Sequence, residues 1–172
     1  LGTHVDDGIG GGNSRFEAAL ERIQKHLPFG SREYRKFKFT GLTIDQQDDF
    51  SIRINQKDYI HQIDPIDVPK LRRKEPEAKV TSNELQHLRA LCGSMQYAAV
   101  HSRPDIMAKV SFLQKRICDA KVQDLLEGNK VLKEAKETSE TTIIVQPIPM
   151  EKVTFASFGD ASFASESQLK AQ

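Results

Sequence analysis

Apolar positions change period several times along the chain, and each change predicts an element. Phe16, Leu20, Ile23 and Leu27 recur at helical spacing. Asn13 or Ser14 opens that helix, Ser14 and Glu17 have capping-box spacing, and Pro28 and Gly30 stop it. Period two then takes over. Run 36–44 (KFKFTGLTI) places Phe37 and Phe39 on one face, and run 50–56 (FSIRINQ) does the same for Phe50, Ile52 and Ile54. With the polar DQQDD between them, the two runs predict a β-hairpin. A short helix over 57–63 follows, ended by Pro65. Stretch 65–79 (PIDVPKLRRKEPEAK) has three prolines, mixed charges and no apolar period, which predicts a linker.

Beyond it the pattern is helical. Thr81 and Glu84 form a second capping box, ahead of a face made by Leu85, Leu88, Cys92, Met95 and Ala99. Pro104 restarts a helix at a position proline tolerates, with Ile106, Val110, Leu113 and Ile117 on one side. A further helix is predicted over 122–136, using Leu125, Leu126 and Leu132. Strand character returns at 141–148 (TTIIVQPI) and again at 152–165 (KVTFASFGDASFAS). There is no internal repeat and no low-complexity tract.

Composition narrows the class. The 172 residues are 38% hydrophobic, enough to bury a core in one domain or two small ones. The 25 Lys and Arg nearly balance the 24 Asp and Glu, giving a net charge of +1. That excludes a basic nucleic-acid coat or an acidic tail, but not local patches. No apolar run approaches the length of a membrane span, and no leader pattern is present. Cys92 and Cys118 each stand among helix-like residues, so buried reduced thiols are expected rather than a disulfide. Leu1 lies inside a strand-like run and Gln172 has barely left another, so the chain is expected to be a fragment.

One short stretch carries candidate chemistry. LGTHVDDGIGGGN places adjacent carboxylates, Asp6 and Asp7, between an apolar strand-like run and glycines at 8, 10, 11 and 12. Adjacent like charges repel unless a cation sits on them. A tight hairpin with the pair at its tip, followed by a return strand of small residues, suits two-metal phosphoryl transfer. Magnesium takes carboxylate and phosphate oxygens and keeps some waters. By residues alone, Asp-Asp-Gly is a common turn composition, and a solvated turn is the plainer reading. The glycines lack the spacing of a dinucleotide loop and the Gly-Lys-Ser/Thr of a P-loop.

Four blocks, in order, resemble Ty1/copia-type retrotransposon polyproteins, in the reverse transcriptase region running into the start of RNase H. HVDDG resembles the aromatic-x-Asp-Asp hairpin in its Val-Asp-Asp form. PFGSREYRKFKFTGLTI with SIRINQKDYIHQI resembles the hairpin that follows the catalytic tip and grips the primer end. LRALCGSMQYAAVHSRPDI is similar to the tract Tyr-Arg-x-Leu-x-Gly-Ser-Leu-x-Tyr with a later Arg-Pro-Asp-Ile. FASFGDASFAS is similar to the Tyr-Ser-Asp-Ala-Asp-Trp-Ala segment that opens RNase H.

The resemblance implies an α+β fold. Residues 1–64 would be the rear part of a polymerase palm with β-hairpins and a helix, 65–80 a linker, 81–140 a helical thumb-like or connection region, and 141–172 the first strands of an RNase H-like domain. It implies that Asp6 and Asp7 are the catalytic, metal-holding pair and that Asp160 is the first RNase H carboxylate. It also implies nucleic-acid contacts from His4, Phe39, Gly41, Leu42, Gln56 and Tyr59. His4 stands where Tyr or Phe is usual, and Ser162-Phe163 where Asp-Trp is common.

The implied activity is RNA-directed DNA polymerisation onto a primer 3′ hydroxyl, with two Mg2+ ions (Mn2+ substituting) and a third aspartate on an earlier strand. The implied partners are an RNA or DNA template–primer and deoxynucleoside triphosphates, with no membrane. The implied location is intracellular and cytoplasmic, in a virus-like particle or free. The fragment alone is expected to be inactive. A decayed or domesticated, non-catalytic nucleic-acid-binding fragment is the alternative, and a stand-alone two-metal nuclease is disfavoured because only Asp160 carries that signature.

Around these blocks, SREYRKFKF interleaves Arg32, Arg35, Lys36 and Lys38 with Tyr34 and Phe37. Cations beside aromatics suit a nucleic-acid track, and lysines on a solvated strand edge are the plainer reading. Lys70, Arg72, Arg73 and Lys74 make a second basic cluster, diluted by Glu75 and Glu77. His26, His61, His87 and His101 have no metal-ligand spacing, so surface or hydrogen-bonded roles are expected. Arg103-Pro104-Asp105 is read as a helix start.

Overall fold

The computed structural model of the chain describes residues 2–4 and 6–154. Among them are five α-helices and two antiparallel sheets, a mixed α+β architecture. Strands β1 (Gly2–His4) and β2 (Asp7–Ile9) form a two-stranded hairpin in which His4 pairs with Asp7 and Gly2 with Ile9. Helix α1 (Ser14–His26) follows. Its cap is Asn13, whose side-chain oxygen accepts from the Arg15 amide at 3.0 Å. The expected Ser14–Glu17 box does not form, because Asn13 takes the cap position and Ser14 becomes the first helical residue; Glu17 pairs with Arg32.

The run 36–44 was expected as one strand, and it is two. Strand β3 (Lys36–Phe39) turns at Thr40 and Gly41 into β4 (Leu42–Gln46), with Phe39 opposite Leu42. Thr40 (φ 49°) and Gly41 (φ 77°) both lie in the left-handed region. Positive φ at both central residues matches the twist of the flanking strands, and glycine takes it without a Cβ clash. Strand β5 (Ile52–Asn55) then pairs with β4, after a turn in which Asp49 accepts from both the amide (2.9 Å) and the hydroxyl (2.6 Å) of Ser51. Those two donors hold the Asp49 carboxyl below its usual range.

The helical part builds the core. Helices α2 (Lys57–Gln62), α3 (Ser82–His101), α4 (Met107–Arg116) and α5 (Val122–Glu137) bury their predicted faces against one another. Leu88, Cys92, Met95 and Ala99 of α3 meet Val110 and Leu113 of α4 and Leu125 and Leu132 of α5 within one cluster of buried residues. The Thr81–Glu84 capping box forms as expected. Pro104 opens a single 3₁₀ turn ahead of α4, with Ile106 buried. Among the described residues, no helix is long and apolar enough to cross a membrane.

Three expectations need correction. The stretch 65–79 is packed, not loose: Ile66 and Val68 enter the core, and Asn129 of α5 both accepts from the Ile66 amide and donates to its carbonyl, each at 2.7 Å. Its lack of periodicity reflects a strap that inserts single side chains rather than an element with a face. Cys118 is exposed; Cys92 alone of the two thiols is buried, and burial pushes it up to about 11. The strand read at 141–148 forms β6 (Ile143–Val145), which pairs with β5 and completes the sheet order β3-β4-β5-β6. The chain therefore returns from the helices to the sheet of β3, β4 and β5.

Candidate nucleic-acid interface and carboxylate hairpin

The carboxylate pair occupies a sharp bend. His4 pairs with Asp7, so Asp6 stands at the turn and Asp7 begins the return strand. Both carboxylates are exposed. Among the described residues neither makes an ion pair or a side-chain hydrogen bond, so no neighbouring lysine or arginine neutralises the repulsion between them. Also among the described residues, no group of three or more His, Cys, Asp or Glu side chains is arranged to hold a metal ion. The pair therefore fits magnesium as part of a donor set: hard, anionic, uncommitted oxygens beside glycines, one acid short of the expected site. Asp160 lies outside the described residues.

The basic stretch is differently placed. Lys36 and Lys38 project from β3 as exposed residues, while Phe37 and Phe39 are half-buried. Each cation has an acidic neighbour: Arg35 with Asp48 at 2.8 Å, Lys36 with Asp45 at 3.5 Å, Lys38 with Asp58 at 2.7 Å. Arg35 itself has a φ of 63°. Such exposed pairs contribute little, about 0–1 kcal/mol each, so a polyanion could displace the carboxylates. Lys38 holds the Asp58 carboxyl below its ordinary range by direct hydrogen bonding. In the second basic cluster Arg72 is committed to Glu84 and Glu75, and Arg73 donates to the Val68 carbonyl.

Gln56 and Tyr59, expected beside a primer, sit largely inside. Gln56 is 1% exposed and its amide oxygen accepts from the Ser102 hydroxyl at 2.8 Å. Its Nε2 has no partner among the described atoms. Tyr59 is half-buried and donates to the Ser94 carbonyl at 3.3 Å. Gly41 is exposed at the tip of the β3–β4 hairpin, and Leu42 opens β4. His4 contributes its backbone to the first hairpin. The structure thus brings Phe39, Gly41, Leu42, Lys36 and Lys38 together on one hairpin and ties Gln56 and Tyr59 to α3 behind it.

No family model matches this chain, and no curated protein or solved structure matches it either. The geometry of the site therefore carries the functional argument.

Two features went unread in the sequence. Arg103 is fully buried, its guanidinium held by both oxygens of Asp105 (2.9 and 2.7 Å), the Ala135 carbonyl (2.9 Å) and the Thr138 hydroxyl (2.7 Å). That hydrogen bonding holds the Asp105 carboxyl below its usual range. Tyr97 reaches from α3 to the tip of the β3–β4 hairpin and donates its hydroxyl to the Thr40 carbonyl. The Arg-Pro-Asp triplet signalled the first residue; nothing local signalled the partner of the second. Among the histidines, His61 bonds the Ser139 hydroxyl at 3.0 Å and His101 the Tyr97 carbonyl at 2.8 Å, while His26 and His87 are exposed, the hydrogen-bonded and surface placements expected.

Proposed function

We propose that this chain is part of a reverse transcriptase of a Ty1/copia-like element, carrying the paired metal-holding aspartates and the hairpin that follows them. The observation that carries the reading is the aspartate pair: two exposed carboxylates, uncommitted to any cation among the described residues, where the β1–β2 hairpin turns back. The order of the four sequence blocks supports it further.

In this reading Asp6 and Asp7 hold magnesium together with a third acid supplied from outside these residues. Bound magnesium would activate the primer hydroxyl and offset charge on the transferred phosphoryl group. The protein's own part is positional. The small residues of the return strand let the primer end approach the carboxylates closely. The β3–β4 hairpin offers Lys36 and Lys38 to the nucleic-acid backbone, exchanging the weak pairs with Asp45 and Asp58 for phosphate contacts.

A non-catalytic nucleic-acid-binding fragment is the second reading. It is favoured by the neutral pairing of the β3 cations and by the inward placement of Gln56. Primer extension separates the two. A polyprotein containing this chain should extend a primer on RNA in Mg2+, and Asp6→Asn or Asp7→Asn should lower the rate on the order of 100-fold or more. The 172-residue chain by itself should not extend at all. Wild-type rates from both asparagine variants would overturn the catalytic reading and leave the binding one.

A further inference from the structure

The tip of the β3–β4 hairpin is held from a distance. Thr40 at φ 49° is a β-branched residue in the left-handed region, a conformation that persists only where the surroundings enforce it. The two-residue hairpin sets that conformation, and Tyr97 of α3 braces it from outside, its hydroxyl donating to the Thr40 carbonyl. Its ring runs alongside the turn: a Cβ added at Gly41 would lie 3.7 Å from Cε1 and 3.8 Å from the hydroxyl oxygen of Tyr97.

The Tyr97 ring is itself bracketed. Tyr59 of α2 meets it edge-on, with centroids 5.2 Å apart and planes at 64°. His101, one turn along α3, lies 4.4 Å from it and bonds the Tyr97 carbonyl through Nδ1 at 2.8 Å. The Tyr59 hydroxyl closes the bracket on the Ser94 carbonyl. Two rings on two helices thus bracket one phenol, and that phenol bonds the turn.

The pair of Lys38 with Asp58 also links β3 to the helices, and its side chains are 67% and 58% exposed. An ion pair that open to water orients little. A half-buried phenol on a backbone carbonyl, with its ring locked by neighbours, orients more.

We propose that Tyr97 is a positioning residue that sets the angle at which the β3–β4 hairpin presents Lys36 and Lys38 to a nucleic-acid duplex. The proposal rests on the polymerase reading for its ligand and on the Tyr97–Thr40–Gly41 contact for its mechanism. It acts through the hairpin; Tyr97 need not touch the duplex.

The test uses the 172-residue chain with two readouts: amide hydrogen exchange across residues 39–43, and fluorescence anisotropy of a labelled RNA–DNA primer–template duplex at fixed salt. Tyr97→Phe keeps the ring and removes the hydroxyl. It should raise exchange at the tip roughly fivefold to tenfold, leave the buried amides around Leu88 and Leu91 unchanged, and weaken duplex binding roughly threefold to fivefold. Gly41→Ala strains the same turn through its positive φ, with the added Cβ against the Tyr97 ring, and its effect with Tyr97→Phe should be less than additive. Unchanged exchange at the tip in Tyr97→Phe overturns the proposal. So does a loosened tip with undiminished duplex binding, which would make the contact structural only. A wild-type chain that ignores the duplex altogether sinks the nucleic-acid reading and this proposal together, whereas binding indifferent to Tyr97→Phe sinks the proposal alone.

Discussion

The Glu84 carboxylate takes three donors from two residues. It accepts from the Thr81 amide at 2.7 Å and takes a forked contact from Arg72 at 2.9 and 3.1 Å, while its own amide bonds the Thr81 hydroxyl. The guanidinium, chiefly, lowers its pKa from 4.5 to about 2. A carboxyl depressed on folding adds stability that is fully present above its unfolded value and disappears as pH falls through the folded one. Glu84→Gln should therefore cost about 1–2 kcal/mol at neutral pH, solvent access to the pair reducing what the whole shift implies. Urea titrations should show the gap between wild type and Glu84→Gln closing between pH 4.5 and about 2. A constant gap over that range would mean that the carboxylate's charge is not what holds the cap. Arg103 illustrates the opposite case, a charge taken wholly out of water. It is tolerated because every side of the guanidinium has an acceptor, and those acceptors join the start of α4 to the end of α5.

At the scale of elements, α1 stands apart from the other long helices. Its stripe of Phe16, Leu20, Ile23 and Leu27 is as regular as that of α3, yet no residue of α1 is buried, and Ile23 and Leu27 are 41% and 64% exposed. A helix of 13 residues without tertiary burial has little beyond its cap and its local bonds to sustain it. Amide exchange along 14–26 should be at least about tenfold faster than along α3 and α5. Equal protection would mean that a surface covers α1 in solution. The sheet shows how an element can hide in a pattern. Phe37 and Phe39 fall on odd positions and Leu42 and Ile44 on even ones, so the alternation slips by one at Thr40 and Gly41, where both φ angles are positive and Phe39 comes to face Leu42.

At the scale of the whole molecule, sheet and helices are stitched together by groups far apart in the chain. Ser102 binds Gln56, Tyr97 binds Thr40, Lys57 pairs with Glu140, and β6 lies beside β5. These links make one cooperative body of 36–145 the expected behaviour. Leu88→Ala, at a side chain with no exposed surface, should destabilise by about 2–5 kcal/mol. The loss should read identically from probes in the sheet and in the helices, as a single denaturant transition. Two transitions would show that the stitching is too weak to couple them.

The chain's own pattern determined the helices and their inward faces. Spacing of three and four depends on neighbours along the sequence, and Thr81 with Glu84 announced its cap locally. The bend at Asp6 and Asp7 was legible for the same reason: strand, turn and glycines are contiguous. What the tertiary structure decided were pairings across distance. Ile66 and Val68 went into the core from a stretch with no period, β6 returned to β5, and Gln56 and Tyr59 turned toward α3. No local rule encodes those partners, because each gains its free energy only when the rest of the core has already brought the other side within reach.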